Sequence, residues 1–227
     1  MSTLLTAPAR ALHRAGLIGA LVTFACAVVF QVLSAAHPGV HLQPTDVPLS
    51  PDAFLRPLDD EPDAVLVWMA FDTVFVVAYL TTFVAARALT VSRLLGTLSL
   101  AAMITAGVLD MAENAVLAVH AAQASVMDPA PAAPMMTLYV IAQLKSTAAA
   151  TGIAFLALAL PARDRLLRAA IVAAGAFVLV TAAGVARPEL AGLEALPILL
   201  LMGLLAGVFA GRLRKPATAP SAVAEAA

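Results

Sequence analysis

The fold class of this chain is decided by residues 94–121, which read LLGTLSLAAMITAGVLDMAENAVLAVHA. A helix of about 20 apolar residues crosses the hydrocarbon core of a bilayer, and this run is long enough to do so. Two carboxylates and a side-chain amide, those of Asp110, Glu113 and Asn114, nevertheless lie inside it. The run therefore predicts a transmembrane helix that carries a polar site within the membrane.

The composition of the whole chain agrees with a membrane location. Hydrophobic residues make up 62% of the sequence and charged residues only 12%, and the mean hydropathy is +0.96. A typical soluble domain is about half apolar and about a quarter charged. We therefore expect an integral membrane protein with the lipid bilayer as its partner. Its expected location is the plasma membrane, which is the inner membrane if the source is bacterial.

Charge and cysteine content argue against several classes of function. The net charge is -1 and the basic residues are scattered over short segments, so we expect no nucleic-acid partner. Cys26 is the single cysteine, which leaves neither an internal disulfide nor a cysteine-based metal site. The histidines lie at or beyond the ends of apolar runs and offer no transmembrane pair for haem. The sequence predicts no metal and no cofactor, and Cys26 is interpreted as a packing residue.

Several runs are long and apolar enough to cross a bilayer, and together they predict an all-α bundle of six transmembrane helices. The first run has an alternative interpretation, because Arg10, His13 and Arg14 precede it and LSAA ends it, as in a cleaved secretory signal. At about 22 residues it is longer than the core of a typical signal, so we interpret it as a span. We place the spans at residues 15–36, 63–86, 94–121, 135–160, 167–186 and 192–211.

The transmembrane domain, residues 15–211, is flanked by segments of different composition. Residues 1–14 form a short N-terminal segment, and residues 212–227 continue into an Ala- and Pro-rich sequence that predicts a disordered tail. The loop at about 37–62 contains too many prolines for a regular helix. Within this loop, PDAFLRPL at 51–58 is interpreted either as a short apolar-faced turn on the membrane surface or as a simple tether.

Basic residues predict the orientation of the spans. Most of them flank span ends on one side of the membrane, whereas the other side carries mainly acidic residues, with Arg56 and Arg187 as its arginines. Because basic loops stay in the cytoplasm, both termini are predicted to be cytoplasmic. The basic residues on the predicted cytoplasmic side are Arg10, Arg14, Arg87, Arg93, Arg163, Arg165, Arg168, Arg212, Arg214 and Lys215.

Ionisable residues occur deep within three consecutive spans. They are Asp72 in the second span, Asp110 and Glu113 in the third, and Lys145 in the fourth. At a helical rise of 1.5 Å per residue, they lie roughly 10–16 Å from the outer ends of their spans, close to the midplane. An unpaired charge there costs several kcal/mol, so these side chains are expected to turn inward and meet. Helical spacing puts Asn114 on the same face, where it can satisfy hydrogen bonds.

The charges of this cluster do not balance. Three carboxylates facing one ammonium leave two negative charges uncompensated in a low-dielectric interior. Either at least one carboxyl is protonated near neutral pH, or a cation or cationic ligand occupies the site. The alternative is that the cluster only holds the helices together. A functional site is favoured, because Ser, Thr or Asn would suffice for packing at lower cost.

Other polar and aromatic residues are candidates for the surroundings of this site. Tyr79, Tyr139 and Gln143 are possible lining residues, and each is otherwise an ordinary interhelical hydrogen-bonding group. Trp68 lies near the outer end of its span and is interpreted as an interfacial anchor. His120 is interpreted as an exposed histidine at a loop end, with a proton relay at the entrance of the site as the alternative.

The last two spans have a different character. We find no ionisable residue deep within them, and Gly203, Gly207 and Gly211 repeat at four-residue intervals. Such a stripe of small residues favours close helix packing. We interpret these spans as scaffold, or as an interface with a second copy or a partner subunit.

The sequence favours one function and leaves two alternatives. A buried site of Asp72, Asp110, Glu113, Asn114 and Lys145 predicts proton- or cation-responsive binding or transport of a small or amphipathic solute. In the first alternative, an intramembrane enzyme uses the carboxylates as general acid or base on a lipid-like substrate. Its support is weak, because the sequence has no GxSxG, His-rich or aspartate-rich motif. In the second, the chain is an accessory or assembly subunit with a structural polar cluster.

Overall fold

The computed structural model has an all-α architecture, as the sequence predicts. Within the described ranges the chain forms seven α-helices and no strand. Six of the helices are long and apolar enough to span a membrane, which confirms the predicted fold class. The structure describes residues 7–38, 40, 51–127, 135–187, 190 and 193–214. The helices are α1 (Ala7–Ala36), α2 (Pro51–Asp60), α3 (Pro62–Ala86), α4 (Arg93–Ala124), α5 (Met135–Ala159), α6 (Arg165–Ala186) and α7 (Ala195–Arg214).

The ends of the spans agree with the predicted positions to within about three residues, with one exception. Helix α1 begins at Ala7 rather than at residue 15, so Arg10 and Arg14 lie within its first turns. The predicted disordered tail falls, from residue 215 onwards, outside the described residues.

Local sequence sets where several spans begin. Ser92 caps α4 by accepting a hydrogen bond from the backbone N–H of Leu95 at 3.3 Å. Asp164 caps α6 in the same way, accepting from the N–H of Leu167 at 2.9 Å. Pro62 occupies the first position of α3, where its missing N–H removes no helical hydrogen bond. These caps satisfy backbone groups that the first turn of a helix leaves unpaired.

The outward faces of the spans are strongly apolar. Val108, Leu158, Leu179 and Leu196 belong to four different spans, and all are exposed, Leu196 to 74%. Monomeric soluble proteins rarely leave such large contiguous apolar patches in water, whereas lipid tails solvate them well. The chain is therefore a multi-pass membrane protein.

The spans form a closed ring in which each packs mainly against its two neighbours. The order around the ring is α1, α3, α4, α5, α6 and α7, and α7 packs back against α1. Helices that follow one another along the chain are thus adjacent in space, as short connections favour. A ring of this kind leaves room along its axis.

The ring has two distinct ends. At one end, here called the terminal end, Gly16 of α1 lies beside Ala85 of α3 and Phe209 of α7. At the other, here called the α2 end, Phe30 of α1 stacks on Trp68 of α3 with ring centroids 6.2 Å apart. The described basic residues that predict the orientation all flank helix ends at the terminal end. That this end faces the cytoplasm stays a prediction.

Glycines allow α1 to approach α3 very closely. A Cβ atom added at Gly19 would lie 2.7 Å from the carbonyl oxygen of Ala78 and 2.8 Å from Oγ1 of Thr82. One added at Gly16 would lie 2.5 Å from the Cβ of Ala85. These distances are shorter than van der Waals contact, so no larger residue fits without separating the helices. This contact therefore depends on glycine.

The predicted glycine stripe of α7 is packed quite differently. A Cβ at Gly203 or Gly207 would meet its nearest neighbour only at 4.0 or 3.6 Å, and one at Gly211 would meet nothing within 4 Å. The stripe therefore makes no tight contact inside the described part of the chain. An interface with a second copy or a partner subunit at this stripe stays a prediction.

Apolar side chains fill the half of the ring next to the terminal end. Leu156, Leu167, Leu205 and Phe209 come from three helices and are each 1% exposed or less. Each buried side chain of this size makes dozens of favourable contacts, and such packing drives helix association when lipid is the solvent. Tight packing at the terminal end therefore holds the ring together.

Residues 51–60 correct one prediction, because they form the regular helix α2 despite the prolines of this loop. Pro51 is the first residue of the helix, a position that tolerates proline. Phe54 and Leu58 are four residues apart, lie on one face and are 1% and 0% exposed. They belong to an apolar cluster with residues of α3, α4 and α5 such as Leu117. Tertiary packing has thus overridden the local disfavour of proline.

A second correction concerns His120, which is buried at 4% exposure rather than exposed at a loop end. Its Nε2 atom lies 2.8 Å from Oδ1 of Asp59, so this pair links α4 to α2. This pairing could not be predicted from the sequence, because it depends on where α2 packs. His37 and Glu61 form a further pair between the end of α1 and the start of α3. Both pairs lie at the α2 end of the ring.

Candidate functional site

The ionisable residues identified in the sequence lie on three consecutive helices of the ring. Asp72 is on α3, Asp110 and Glu113 are on α4, and Lys145 is on α5. The ammonium of Lys145 lies 3.0 Å from Oδ1 of Asp110 and also donates to Oε2 of Glu113. Asp110 and Glu113 are one helical turn apart on α4, which is why both reach the same ammonium. The structure therefore brings these three residues together as a buried ion-pair network.

Asp72 and Asn114 form a second part of the site. The side-chain amide of Asn114 donates to Oδ2 of Asp72 at 2.6 Å, which joins α4 to α3. Among the described residues, the structure gives Asp72 no ion pair with a basic side chain. The hydroxyl of Tyr79 lies 3.5 Å from Oδ2 of Asp110, at the outer limit of a hydrogen bond. The site thus contains two carboxylates that share one ammonium and a third carboxylate that accepts a hydrogen bond from an amide.

These groups lie on the wall of a central cavity of about 470 Å³. All six spans contribute to the lining of the cavity, which on α3 runs from Trp68 near the α2 end to Phe83 near the other end of the helix. Helices α3, α4 and α5 supply its ionisable wall, with Asp72, Asp110, Glu113 and Lys145. Helices α1, α6 and α7 supply the other wall, whose apolar residues are Ala27, Phe30, Phe177, Ala195, Ile198 and Met202. Its polar lining residues are Thr23, Gln31 and Ser34 of α1 and Glu194, directly before α7. The cavity is therefore amphipathic, and its volume is that of a small-molecule site.

Aromatic rings surround the Asp72 side of the cavity. Trp68, Phe75 and Tyr79 lie one or two turns from Asp72 on the same face of α3, and all line the cavity. The ring centroid of Phe75 is 5.5 Å from that of Phe30 and 5.4 Å from that of Tyr79, both in edge-on geometry. Such edge-to-face contacts fix the orientation of the rings. The cavity thus has an ordered aromatic surface next to an acidic group.

Trp68 requires a correction. Its position near the end of a span predicts an interfacial anchor, but the side chain is only 8% exposed and packs on Phe30. Helical position alone did not indicate that α1 covers this ring. The indole therefore faces the interior of the ring of helices rather than the membrane surface.

The other candidate lining residues are placed unequally by the structure. Tyr79 is on the cavity wall, whereas Tyr139 and Gln143 are on α5 and are not among the residues that line it. Gln31 of α1 and Glu194, which directly precedes α7, do line it, and the sequence interpretation did not select them. Both lie near span ends, where polar residues are common, so the sequence carried no specific signal for them. Only the closure of the ring by α1 and α7 places them at the site.

Cysteine chemistry and metal binding are the two other kinds of chemistry that the side chains bear on. Cys26 is buried in α1 at 5% exposure, as expected of a packing residue. Within the ranges that the structure describes, no three His, Cys, Asp or Glu side chains are arranged to hold a metal ion.

Comparison with known proteins gives no family for this chain. No protein-family model matches it, and no match was found among curated proteins or among solved structures. A ring of helices hosts many activities, so the function has to be argued from the cavity and its side chains.

Proposed function

We propose that this protein binds a small or amphipathic solute in its central cavity, in a manner that responds to protons or cations. One observation carries the proposal, namely a cavity of about 470 Å³ whose wall holds Asp72, Asp110, Glu113 and Lys145. Cavities of this size with a few convergent polar groups are typical of small-molecule sites. Ionisable groups at this depth in a membrane are costly, and they are retained mainly where they act.

The charge balance of the wall supports a response to protons or cations. Lys145 compensates Asp110 and Glu113 only in part, and Asp72 receives a hydrogen bond from the neutral amide of Asn114. With every carboxyl ionised, these side chains carry more negative than positive charge. Uptake of a proton or of a cationic solute removes the excess, so binding of the two is expected to be coupled.

The location and direction of the site belong to the same proposal. The basic residues flank helix ends at the terminal end, and the positive-inside rule places that end in the cytoplasm of a plasma membrane. The cavity then opens toward the extracytoplasmic half, since it begins at the α2 end. Transport would require that the filled terminal half also open, whereas binding alone would not. Binding is therefore the more economical form of the proposal.

A thermal melting experiment tests the proposal. We would compare the melting temperature of the wild type, Lys145→Met, Glu113→Gln and their double variant in detergent, from about pH 5 to about pH 9, with and without added inorganic cations. The wild type is expected to change its melting temperature with pH or with a cation, and the double variant is expected to stay folded and lose that response. Asp63→Asn serves as the control, because Asp63 is exposed at the start of α3.

Opposite results would identify the alternatives. A wild type that ignores pH and cations, with single variants that lose stability, would mean that the cluster is a packing device and that the proposal is wrong. Incubation with a lipid extract addresses the enzyme alternative, since an enzyme would yield a product whereas a binding protein would not.

A further inference from the structure

We infer that the solute is an organic ammonium ion, whose cationic group lies between Asp72 and the aromatic rings of Trp68 and Phe75. This inference rests on the proposed function, because it names the chemical class of the solute for the same cavity. It differs from that function in its prediction, since it excludes neutral and anionic solutes of the same shape. Three independent features of the cavity wall carry it.

The first feature is the distribution of charge. The ammonium of Lys145 lies against Asp110 and Glu113, on the α4–α5 side of the cavity. Asp72 lies across from it on α3 and receives the amide of Asn114 at 2.6 Å. A carboxylate in a low-dielectric site is strongly stabilised by a positive charge within a few ångströms. Lys145 can neutralise only one of the three carboxylates, so the wall keeps an excess of negative charge. Asp72 is the one of the three that pairs with no basic side chain in the described part of the chain, which makes it the contact for a cation.

The second feature is the aromatic surface on both sides of this carboxylate. Trp68 precedes Asp72 by one helical turn and Phe75 follows it by nearly one turn, so the two rings and the carboxylate share a face. Phe30 of α1 packs against both rings and holds them in place. The faces of aromatic rings attract cations, and alkylated ammonium groups are bound in this way by cages of aromatic residues. A small inorganic cation would gain less here, because it keeps its water shell.

The third feature is the mainly apolar wall opposite Asp72, Asp110 and Glu113, whose charged residue, Glu194, lies directly before α7. Phe177 of α6 and Ile198 and Met202 of α7 line the part of the cavity that faces away from Asp72. An inorganic ion has no apolar group that could contact this wall. A solute with an ammonium group and an apolar body of several carbons matches both walls at once, and the volume of about 470 Å³ accommodates such a body.

The chain contains its own reporter for a binding experiment. Trp68 is the single tryptophan of the sequence and lines the cavity, so its fluorescence reports on the site alone. We would titrate the full chain in detergent micelles with phenyltrimethylammonium, with its neutral isostere tert-butylbenzene and with the anion 4-tert-butylbenzoate. The cation is expected to change the fluorescence saturably and to bind at least about tenfold more tightly than either of the others.

Two variants and a matched control locate the binding group. Asp72→Asn is expected to weaken phenyltrimethylammonium binding by about tenfold or more, and Phe75→Leu by about threefold or more. Asp63→Asn removes an aspartate from the exposed start of the same helix and is expected to leave binding unchanged. Melting curves of each variant show whether it is folded. The wild-type comparison of the three probes needs no variant, so the test holds even if one variant fails to fold.

The possible results separate this inference from the proposed function. If the neutral or anionic probe binds as tightly as the cation, the ammonium inference is wrong and solute binding in the cavity stands. If no probe binds but the melting temperature still responds to pH or to an inorganic cation, the inference is again wrong and the proposed function stands. If neither response is seen, both are wrong.

Discussion

The two halves of this ring are built from the same helices but differ in whether side chains fill the space along the axis. Near the terminal end, large apolar side chains such as Leu205 and Phe209 fill the space along the axis. Toward the α2 end, the same helices enclose a cavity of about 470 Å³ with charged groups on its wall. Close packing in the filled half stabilises the fold. This stabilisation offsets the cost of holding polar groups in apolar surroundings in the hollow half. The comparison teaches that the tightly packed region and the proposed binding site are spatially separated in this protein.

The largest effect is expected where helices touch through glycine in the filled half. Gly19→Leu would drive a side chain into the carbonyl oxygen of Ala78, which would lie only 2.7 Å from the new Cβ atom. Because the backbone cannot move aside cheaply, we expect loss of folded protein, measured as recovery after size-exclusion chromatography in detergent. Gly175→Leu is the matched control, since a Cβ there meets nothing within 4 Å. Normal recovery of Gly19→Leu would contradict this account of the α1–α3 contact.

A cavity in the filled half is expected to cost nearly as much. Phe209→Ala removes a fully buried ring that packs against His13 and lies beside Gly16. We expect the free energy of unfolding to fall by about 3–5 kcal/mol, measured by denaturant titration in mixed micelles. Leu196→Ala on the same helix is the control, because its side chain is 74% exposed toward lipid. If the two variants lose equal stability, the filled half does not hold the ring together.

In the hollow half, removing one charge of the ion-pair network is expected to cost more stability than removing all of its charges. Lys145→Met leaves Asp110 and Glu113 buried together without their ammonium, and we expect a loss of about 3 kcal/mol in unfolding free energy. The triple variant with Asp110→Asn and Glu113→Gln should recover much of this loss, since no uncompensated charge remains. Denaturant titrations of the single and triple variants check this. Equal losses in both would show that the lysine acts through packing rather than through charge.

The pair between α2 and α4 should contribute little. Asp59→Asn removes the carboxylate beside His120, but Asp59 is 41% exposed and its charge is well screened. We expect a loss below about 1 kcal/mol, whereas the buried side chains of Phe54 and Leu58 should hold α2 in place. The melting temperature of Asp59→Asn, with Asp60→Asn as its exposed neighbour control, tests this. A loss like that of Phe209→Ala would show that the pair, and not the apolar face, fixes α2.

The smallest effect on stability is expected at Asp72, which therefore contrasts most with the structural residues of the filled half. A binding group is kept for its ligand rather than for folding, so Asp72→Asn should leave the melting temperature unchanged or raise it slightly. The asparagine can still accept the hydrogen bond that Asn114 donates. Melting curves without added ligand check this prediction. A marked loss of stability would place Asp72 with the structural residues of the filled half.

Much of the candidate site could be predicted from the sequence, because an ionisable residue inside an apolar run can be recognised from its neighbours in the chain. Asp110, Glu113 and Lys145 were selected one by one, as ionisable residues deep in apolar runs, and the structure brings them within ion-pairing distance. Phe30 and Glu194 could not be selected in this way, because phenylalanine is common within spans and glutamate is common at span ends. They reach the cavity only because α1 and α7 close the ring.

The same contrast explains the predictions that were wrong. Helix α2 was not expected, because proline content is a local property and the burial of Phe54 and Leu58 is not. Trp68 and His120 were interpreted from their distance to a span end, which says nothing about what covers a side chain. In both residues the covering group comes from another element, Phe30 of α1 or Asp59 of α2.

By itself, the sequence determined that this is an all-α protein with six membrane spans, because the apolar length needed to cross a bilayer is written directly in the order of residues. It also determined which spans carry charge. Only the tertiary structure decided that the spans form a ring, that one half is filled and the other hollow, and that aromatic rings lie around Asp72. Those features depend on contacts between residues far apart in the chain, where shape and close packing select one arrangement among many that hydropathy allows.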